Sequence, residues 1–354
     1  MVRRTGRLLV GILAALLLFF LLGEVLARSM NLVDRLNGFP RQLYRATDDD
    51  ELPYVLRPSL DTVARGERVI LDEHGTRISS EAAPAPAGAR RILLLGDSVV
   101  FGYRMPFDET LGARLEEKLE HRTGSPHQVV NAGVEGYNTQ NQLAWLQRFG
   151  LALDPDMIVV VFNLNDYDYG PVMGPNGVLT TDRTKRVSTW SLANLSDFYV
   201  LLRWLYKIGT HMPAGDAPAA GSAAPGPTPA FLDFDVFVSK LRKNYYRKPT
   251  DERWPQLLAS LEGLQAESER AGVPLLIAIL PDGDQIGVAE PDLIPQERLQ
   301  RICADLRLDC LDLYAAFEAH SDEGRLFMDI MHPNARGHEI VAGALAGRLA
   351  GPPP

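Results

Sequence analysis

The sequence predicts a three-layer α/β/α sandwich built on a mainly parallel five-stranded sheet, with a transmembrane helix ahead of it. Two observations predict the sandwich. From Arg91 onward, short apolar runs alternate with segments whose apolar residues recur at helical spacing, and in the first such run, Ile92-Leu93-Leu94-Leu95, no position is polar. Strands that are apolar on both faces and separated by helices imply right-handed crossovers and a parallel sheet covered on both sides. A third observation predicts the membrane helix: Arg3, Arg4 and Arg7 precede an uncharged run from Leu8 to Gly23, which Val25-Leu26-Ala27 extends past Glu24.

About 18 to 20 apolar residues can span a bilayer. Arginines ahead of the run hold the N-terminus in the cytoplasm and send the body out. Residues 1–7 are therefore read as a cytoplasmic n-region and 8–27 as an anchor or a signal segment. In the signal reading, Val25 and Ala27 are the small residues of a cleavage site. Both readings export the body. In an oxidising compartment Cys303 and Cys310, seven apart, become candidates for a disulfide; two separate buried thiols are the alternative.

Residues 28–89 read as an extended N-terminal region and linker, with an acidic run at Asp48–Glu51, short β-like pieces such as Arg68-Val69-Ile70-Leu71, and Ala and Pro concentrated between Glu81 and Ala89. The main domain follows, over 90–350. Leu111, Leu115 and Leu119 mark its first helix and Val129-Val130 its second strand. Leu143, Leu146, Phe149 and Leu153 mark the second helix, and Met157–Phe162 is a third strand, apolar throughout. An insertion then occupies 167–250. It holds an amphipathic helical stretch over Trp190–Ile208 and an Ala/Pro/Gly-rich segment, 213–230, that cannot bury a core and reads as a disordered loop. The alternation resumes with a helix through Trp254, Leu257, Leu261 and Leu264, closed by Gly272, and a strand over Val273–Leu280. A helix over Gln296–Ala304, a strand over Leu311–Tyr314 and a last helix from Pro333 to Leu349 complete it.

Composition narrows the function. With 46% apolar residues the chain is not a disordered one, and with 2 cysteines it is not a small disulfide scaffold. A net charge of −9 argues against a nucleic-acid partner. No zinc-type Cys/His spacing, P-loop or dinucleotide fingerprint occurs, and Asp166-x-Asp168-x-Gly170 lacks the terminal Glu of a calcium loop. No metal and no cofactor are expected.

Ligands of open parallel sheets bind at the carboxyl ends of the strands, and four polar clusters fall there. They are Gly96-Asp97-Ser98 after the first strand and Asn131-Ala132-Gly133-Val134-Glu135-Gly136 after the second. Asn163-Leu164-Asn165-Asp166 follows the third, and Asp329-Ile330-Met331-His332 precedes the last helix. A serine hydroxyl needs an adjacent base to act as a nucleophile, and His332 can supply one. Asp329, three residues earlier, can hold the imidazole tautomer. Singly, each residue has a plain structural reading: Ser98 a helix cap, Asn165 and Asp166 a turn, Gly133 and Gly136 a turn, His332 a cap of the last helix.

Together, in this order, the clusters resemble the blocks of the SGNH (GDSL) hydrolase family, a flavodoxin-like fold, over about Arg91 to Leu349. The resemblance implies Ser98 as nucleophile, His332 as base and Asp329 as its orienting carboxylate. It implies the Ser98 N–H, the Gly136 N–H and the Asn165 amide as oxyanion donors, with Asp97, Asn163 and Asp166 in support. Asn163 stands where the family has glycine, so a side chain there is expected to narrow the pocket or add a polar contact. The implied activity is hydrolysis of acyl esters, acetyl among them, on cell-envelope carbohydrate or lipid. Two alternatives stay open: an O-acyltransferase that passes the same acyl group to an envelope polysaccharide, and a non-catalytic envelope-binding protein on the same fold.

Overall fold

The computed structural model describes residues 2–30, 32–33, 40–80, 85–167, 170–173, 179–180, 196–211 and 253–350. The segment 213–230 lies outside them, as do Trp190 and Asp168. The chain divides into two compact units, residues 1–42 with 172–226, and residues 43–171 with 227–354.

The larger unit holds the sheet. Its strands in chain order are β1 (Tyr44–Ala46), β2 (Tyr54–Leu56), β3 (Asp61–Ala64), β4 (Glu67–Leu71), β5 (Arg77–Ile78), β6 (Arg90–Gly96), β7 (His127–Gly133) and β8 (Met157–Phe162). Two two-residue strands of the smaller unit, β9 (Val172–Met173) and β10 (Leu179–Thr180), pair with each other, and β11 (Leu275–Ile279) and β12 (Asp309–Asp312) return to the main sheet. The main sheet runs β12-β11-β8-β6-β7-β5-β4-β3. Its five parallel strands β12, β11, β8, β6 and β7 are the five the sequence predicts. Leu93, Leu94, Val159, Val160 and Ile277 at their centre are buried, and each such side chain contributes roughly 1.5–3 kcal/mol by leaving water.

The sheet does not stop at β7. β5 pairs antiparallel with it through Arg77 and Asn131, and the β3–β4 hairpin continues outward. The reading of 28–89 as an extended region outside the domain is corrected here: 61–78 supplies three strands of the same sheet. Of these, the β-like piece Arg68–Leu71 is β4; the strands are 2 to 5 residues long with mixed burial, too short for sequence to assign them to the main sheet.

Helices of the larger unit cover both faces of its sheet. In chain order after the N-terminal helix, the helices of the described residues are α2 (Ser98–Phe101), α3 (Leu111–Thr123), α4 (Thr139–Trp145), α5 (Asp197–His211, which belongs to the smaller unit), α6 (Arg253–Ala271), α7 (Ile294–Leu306), α8 (Tyr314–Glu318) and α9 (Ala335–Leu349). Thr110 caps α3 by accepting from the Ala113 N–H, and Leu111, Leu115 and Leu119 form its buried stripe. Leu115 and Leu119 join Val341, Leu345 and Leu349 of α9 in one apolar layer. The second predicted helix is regular only to Trp145 and then widens into a π turn at Leu146–Gly150. Cys303, buried near the end of α7, is bridged to Cys310 of β12, tying that helix to the edge strand.

The smaller unit contains α1 (Val2–Ser29), of which Val10–Ser29 is long and apolar enough to cross a membrane. It also contains α5, which accounts for the described part of the amphipathic stretch predicted over Trp190–Ile208.

Candidate active site

The site forms where β6 turns into α2. Gly96 and Gly133, at the ends of β6 and β7, leave room for that turn: a Cβ on Gly96 would lie 2.4 Å from Val100 Cγ2, and one on Gly133 would lie 2.2 Å from the Phe101 nitrogen. Asp97 caps α2, its Oδ1 accepting from the Val99 N–H at 2.9 Å. Gly102 (φ 83°) closes the turn. The buried guanidinium of Arg77 donates to the carbonyls of Phe101 (2.7 Å), Gly102 (2.8 Å) and Met105 (2.7 Å). This turn presents Ser98 nearly buried at the strand end.

Ser98 Oγ lies 2.9 Å from His332 Nε2, and His332 Nδ1 lies 2.7 Å from Asp329 Oδ2. The other carboxylate oxygen of Asp329 accepts the backbone N–H groups of Met331 and His332, both at 2.8 Å. This tight turn is what three-residue spacing requires for an aspartate to reach back to its own histidine. Those contacts hold the Asp329 carboxyl at about 2, overcoming the opposing effect of burial. The turn is pinned outside as well: Met328 N–H donates to the His332 carbonyl at 2.7 Å and Gly283 N–H to the Ile330 carbonyl at 2.7 Å. Asn334, not His332, caps α9, accepting from the Gly337 N–H at 3.0 Å.

Asp97 organises the residues after β8. Its Oδ2 accepts from Asn165 Nδ2 at 3.0 Å and from Asn163 Nδ2 at 3.2 Å. The Asn163 side chain is buried and turned inward onto Asp97, so it adds a polar contact there. The Asn165 amide has two hydrogens, so one remains after the bond to Asp97. Asp166 stands off the relay and receives the Gln142 amide of α4 at 2.8 Å. Burial pushes the Asp97 carboxyl up, against the pull of the donors around it.

Gly136 sits at φ 80°, and a Cβ there would meet Pro171 Cγ at 2.6 Å and the Tyr54 hydroxyl at 3.0 Å. The Gly133 N–H is already given to Asn131 Oδ1 at 3.1 Å, which leaves Gly136 as the glycine of this loop with an unspent N–H among the described residues.

Several residues at the site carry no sequence signal. Tyr103 stacks on the His332 ring with centroids 4.3 Å apart at 23°. The Arg65 guanidinium lies 4.6 Å from the centre of the Tyr103 ring and makes a two-pronged ion pair with Glu135, the neighbour of Gly136, at 2.5 and 2.8 Å. Tyr44 donates to the same carboxylate, and the Tyr54 hydroxyl donates to the Glu135 carbonyl at 2.8 Å. Burial beside Glu135 drives the Tyr44 hydroxyl well above its ordinary range, so it remains a donor. The strands before residue 90 thus brace both the imidazole and the glycine loop. Arg65 is carried in by the β3–β4 hairpin of the main sheet, and Tyr44 and Tyr54 by the separate β1–β2 pair, so their arrival depends on long-range packing that leaves no mark in sequence.

His338 on α9 is also buried, and burial lowers it to about 3, with the charges of His332 and Arg77 adding to the effect. It is neutral in the folded protein, and an unfolded histidine binds a proton near pH 6.5. The unfolded state then binds more protons between pH 6.5 and 3, so this contribution is complete above pH 6.5 and is lost as pH falls. Urea unfolding of wild type between pH 7 and 4.5 is expected to lose stability with a slope from this residue of at most about 1.4 kcal/mol per pH unit. The slope flattens in His338→Gln; an unchanged slope would rule the residue out as its source.

A parallel α/β sheet with a Ser–His–Asp relay at its carboxyl edge defines a class of protein. Residues 94–229 match the model of the GDSL-like lipase/acylhydrolase family. An arylesterase of Vibrio mimicus is 31% identical over 105 residues, which are 29% of this chain and 50% of that protein. The chain thus spans about half the length of the curated relative it matches. An acetylxylan esterase from Geobacillus stearothermophilus, solved as a catalytic mutant, superposes with a TM-score of 0.43 at 15% identity, over 74% of this chain and 95% of that one. A lipase/acylhydrolase from Enterococcus faecalis gives 0.40 at 16% identity, over 74% and 95%.

Proposed function

We propose that the chain is an exported serine esterase that hydrolyses acyl esters through an acyl-serine intermediate. The observation that carries this reading is the continuous relay from Ser98 Oγ through His332 to Asp329, at 2.9 and 2.7 Å. Ser98 Oγ attacks the ester carbonyl carbon while His332 Nε2 takes its proton. Asp329 keeps the remaining proton on Nδ1 and stabilises the imidazolium without accepting that proton. Its low pKa supports this role, since it stays ionised through the working range. The carbonyl oxygen becomes an oxyanion held by the Ser98 N–H, the Gly136 N–H and the free hydrogen of Asn165. Each such donor contributes roughly 2.7–4 kcal/mol to the transition state. Collapse breaks the bond to the alcohol, which leaves with the proton from His332. Water then repeats the sequence on the acyl-serine and frees the acid.

The basic residues before the apolar helix support export, and export together with the match of residues 94–229 to the GDSL-like model supports acyl groups on envelope carbohydrate or lipid as substrate. The purified full chain in detergent is expected to release p-nitrophenol from p-nitrophenyl acetate. A fluorophosphonate probe should add to one peptide, the one containing Ser98. Labelling elsewhere, or none at all, would overturn the serine mechanism.

A further inference from the structure

Glu24 is a carboxylate inside an otherwise apolar helix, and such residues are costly in a membrane unless paired. Here it is fully engaged within the smaller unit. Its two oxygens accept from the Asp197 N–H (3.1 Å), the Phe198 N–H (3.0 Å) and the Ser196 hydroxyl (2.7 Å), and Arg28 closes the set from α1 itself at 2.5 Å. The first N–H groups of a helix have no partner within it and carry its positive end. Glu24 therefore caps α5 from another helix, beside α5's own cap, in which Ser196 Oγ accepts from the Tyr199 N–H at 2.9 Å.

Packing repeats the arrangement. The Phe198 ring meets Phe19 and Phe20 edge-on, at 5.3 and 5.5 Å between centroids. It lies over Gly23, where a Cβ would come within 2.6 Å of it. Any larger residue at 23 would displace the ring. Asp197 is fixed from its other side by the bidentate guanidinium of Arg41, at 2.9 and 2.8 Å. Around this seat α1 is bare: Val10, Leu13, Leu17 and Leu22 are 58–66% exposed. On α5, Leu205 and Tyr206 are exposed too, at 50% and 72%. Glu24 lies ~21 Å along the helix from Val10, toward the far side of a hydrocarbon layer about 30 Å thick.

We propose that α1 is retained as a membrane anchor and that α5 docks on its outer end at the lipid surface, with Glu24 and Gly23 as the seat. The exposed faces of both helices take one occupant, the bilayer. Removal of residues up to Ala27, as the signal reading requires, would strip α5 of Phe19, Phe20, Gly23 and Glu24 at once. Ala27 itself is fully buried, so the small residue a peptidase would need is covered.

The proposal rests on the exported orientation given above, and the two can fail separately. A reporter fused after Pro354 reads orientation; activity on the cytoplasmic side would sink export itself. The C-terminally tagged chain, recovered from membranes after an alkaline carbonate wash, is then weighed intact. Retention of residues 8–27 is expected, and a mature N-terminus at Arg28 overturns the anchor. For the seat, hydrogen exchange of the Phe198–Leu202 amides is followed in lipid nanodiscs. Glu24→Ala and Gly23→Leu should each speed it at least tenfold, whereas Glu24→Gln, which keeps an acceptor, should give a smaller change. Fluorophosphonate labelling of Ser98 reports that the rest of each variant is folded. Exchange at the wild-type rate in both Glu24→Ala and Gly23→Leu overturns the docking.

Discussion

Alanine in place of Ser98 or His332 is expected to lower kcat on a small acyl ester by about 10⁵–10⁶-fold, and the double variant should be little worse than either single one. The reason is that the two side chains act as one device across a 2.9 Å contact: neither the alkoxide nor the base does the work without the other. What remains, roughly 10³–10⁴-fold over water, is the share of the oxyanion donors and of substrate binding. Asp329→Asn should cost less, about 10⁴-fold, because the amide can present its donor to Nδ1 and so select the wrong tautomer. KM should move little in all three, since Ser98 and His332 touch the reacting atoms and not the remote parts of the ester. Steady-state kinetics with p-nitrophenyl acetate, normalised by folded protein from circular dichroism, checks this. Equal wild-type and Ser98→Ala rates would remove the nucleophile from the account; additive losses in the double variant would remove the coupling.

The parts of this site that were legible in sequence share a physical origin. Buried parallel strands must be apolar on both faces, so β6, β8 and β11 announce themselves. The residues that follow such strands must be polar to do chemistry, so Ser98, Asn165 and the Asp329–His332 pair stand out against them. Asp329 and His332 are also close in sequence, and their 2.7 Å contact needs only a turn. The braces were not legible, for the opposite reason. Arg65 reaches Glu135 across 70 residues, through a hairpin whose strands have 4 and 5 residues. Arg77 was hidden in the same way, a lone arginine in a two-residue strand whose carbonyl partners lie 24 to 28 residues on. Glu24 was visible as an interruption in an apolar run, yet its partners at 196–198 lie about half the chain away.

Asp97→Asn is expected to reduce kcat about 10²–10³-fold without touching any reacting group. Asp97 is fully buried and acts only as an acceptor, from the Val99 N–H on one oxygen and from the Asn163 and Asn165 amides on the other. An asparagine keeps the shape but turns one of those acceptors into a donor. If its NH₂ faces Val99, two N–H groups oppose each other at the start of α2. If it faces the asparagine pair, Asn165 is driven to turn its own carbonyl oxygen toward Asp97's position or outward to the oxyanion. Outward rotation replaces a transition-state donor with a repelling acceptor, which is why the loss falls on kcat and leaves KM within a few-fold. Stability should fall by about 1–3 kcal/mol for the buried group left unpaired. Fluorophosphonate labelling of Ser98 should slow in parallel with kcat, because it uses the same oxyanion donors without the natural ester. Asn163→Gly separates the two routes: it removes one of the amides on Asp97 and leaves Asn165 in place, so its kcat should remain within a few-fold of wild type. A wild-type kcat in Asp97→Asn would show that Asn165 does not depend on Asp97 for its orientation. A loss in Asn163→Gly as large as in Asp97→Asn would move the effect from the Asn165 donor to the packing of the whole turn after β8.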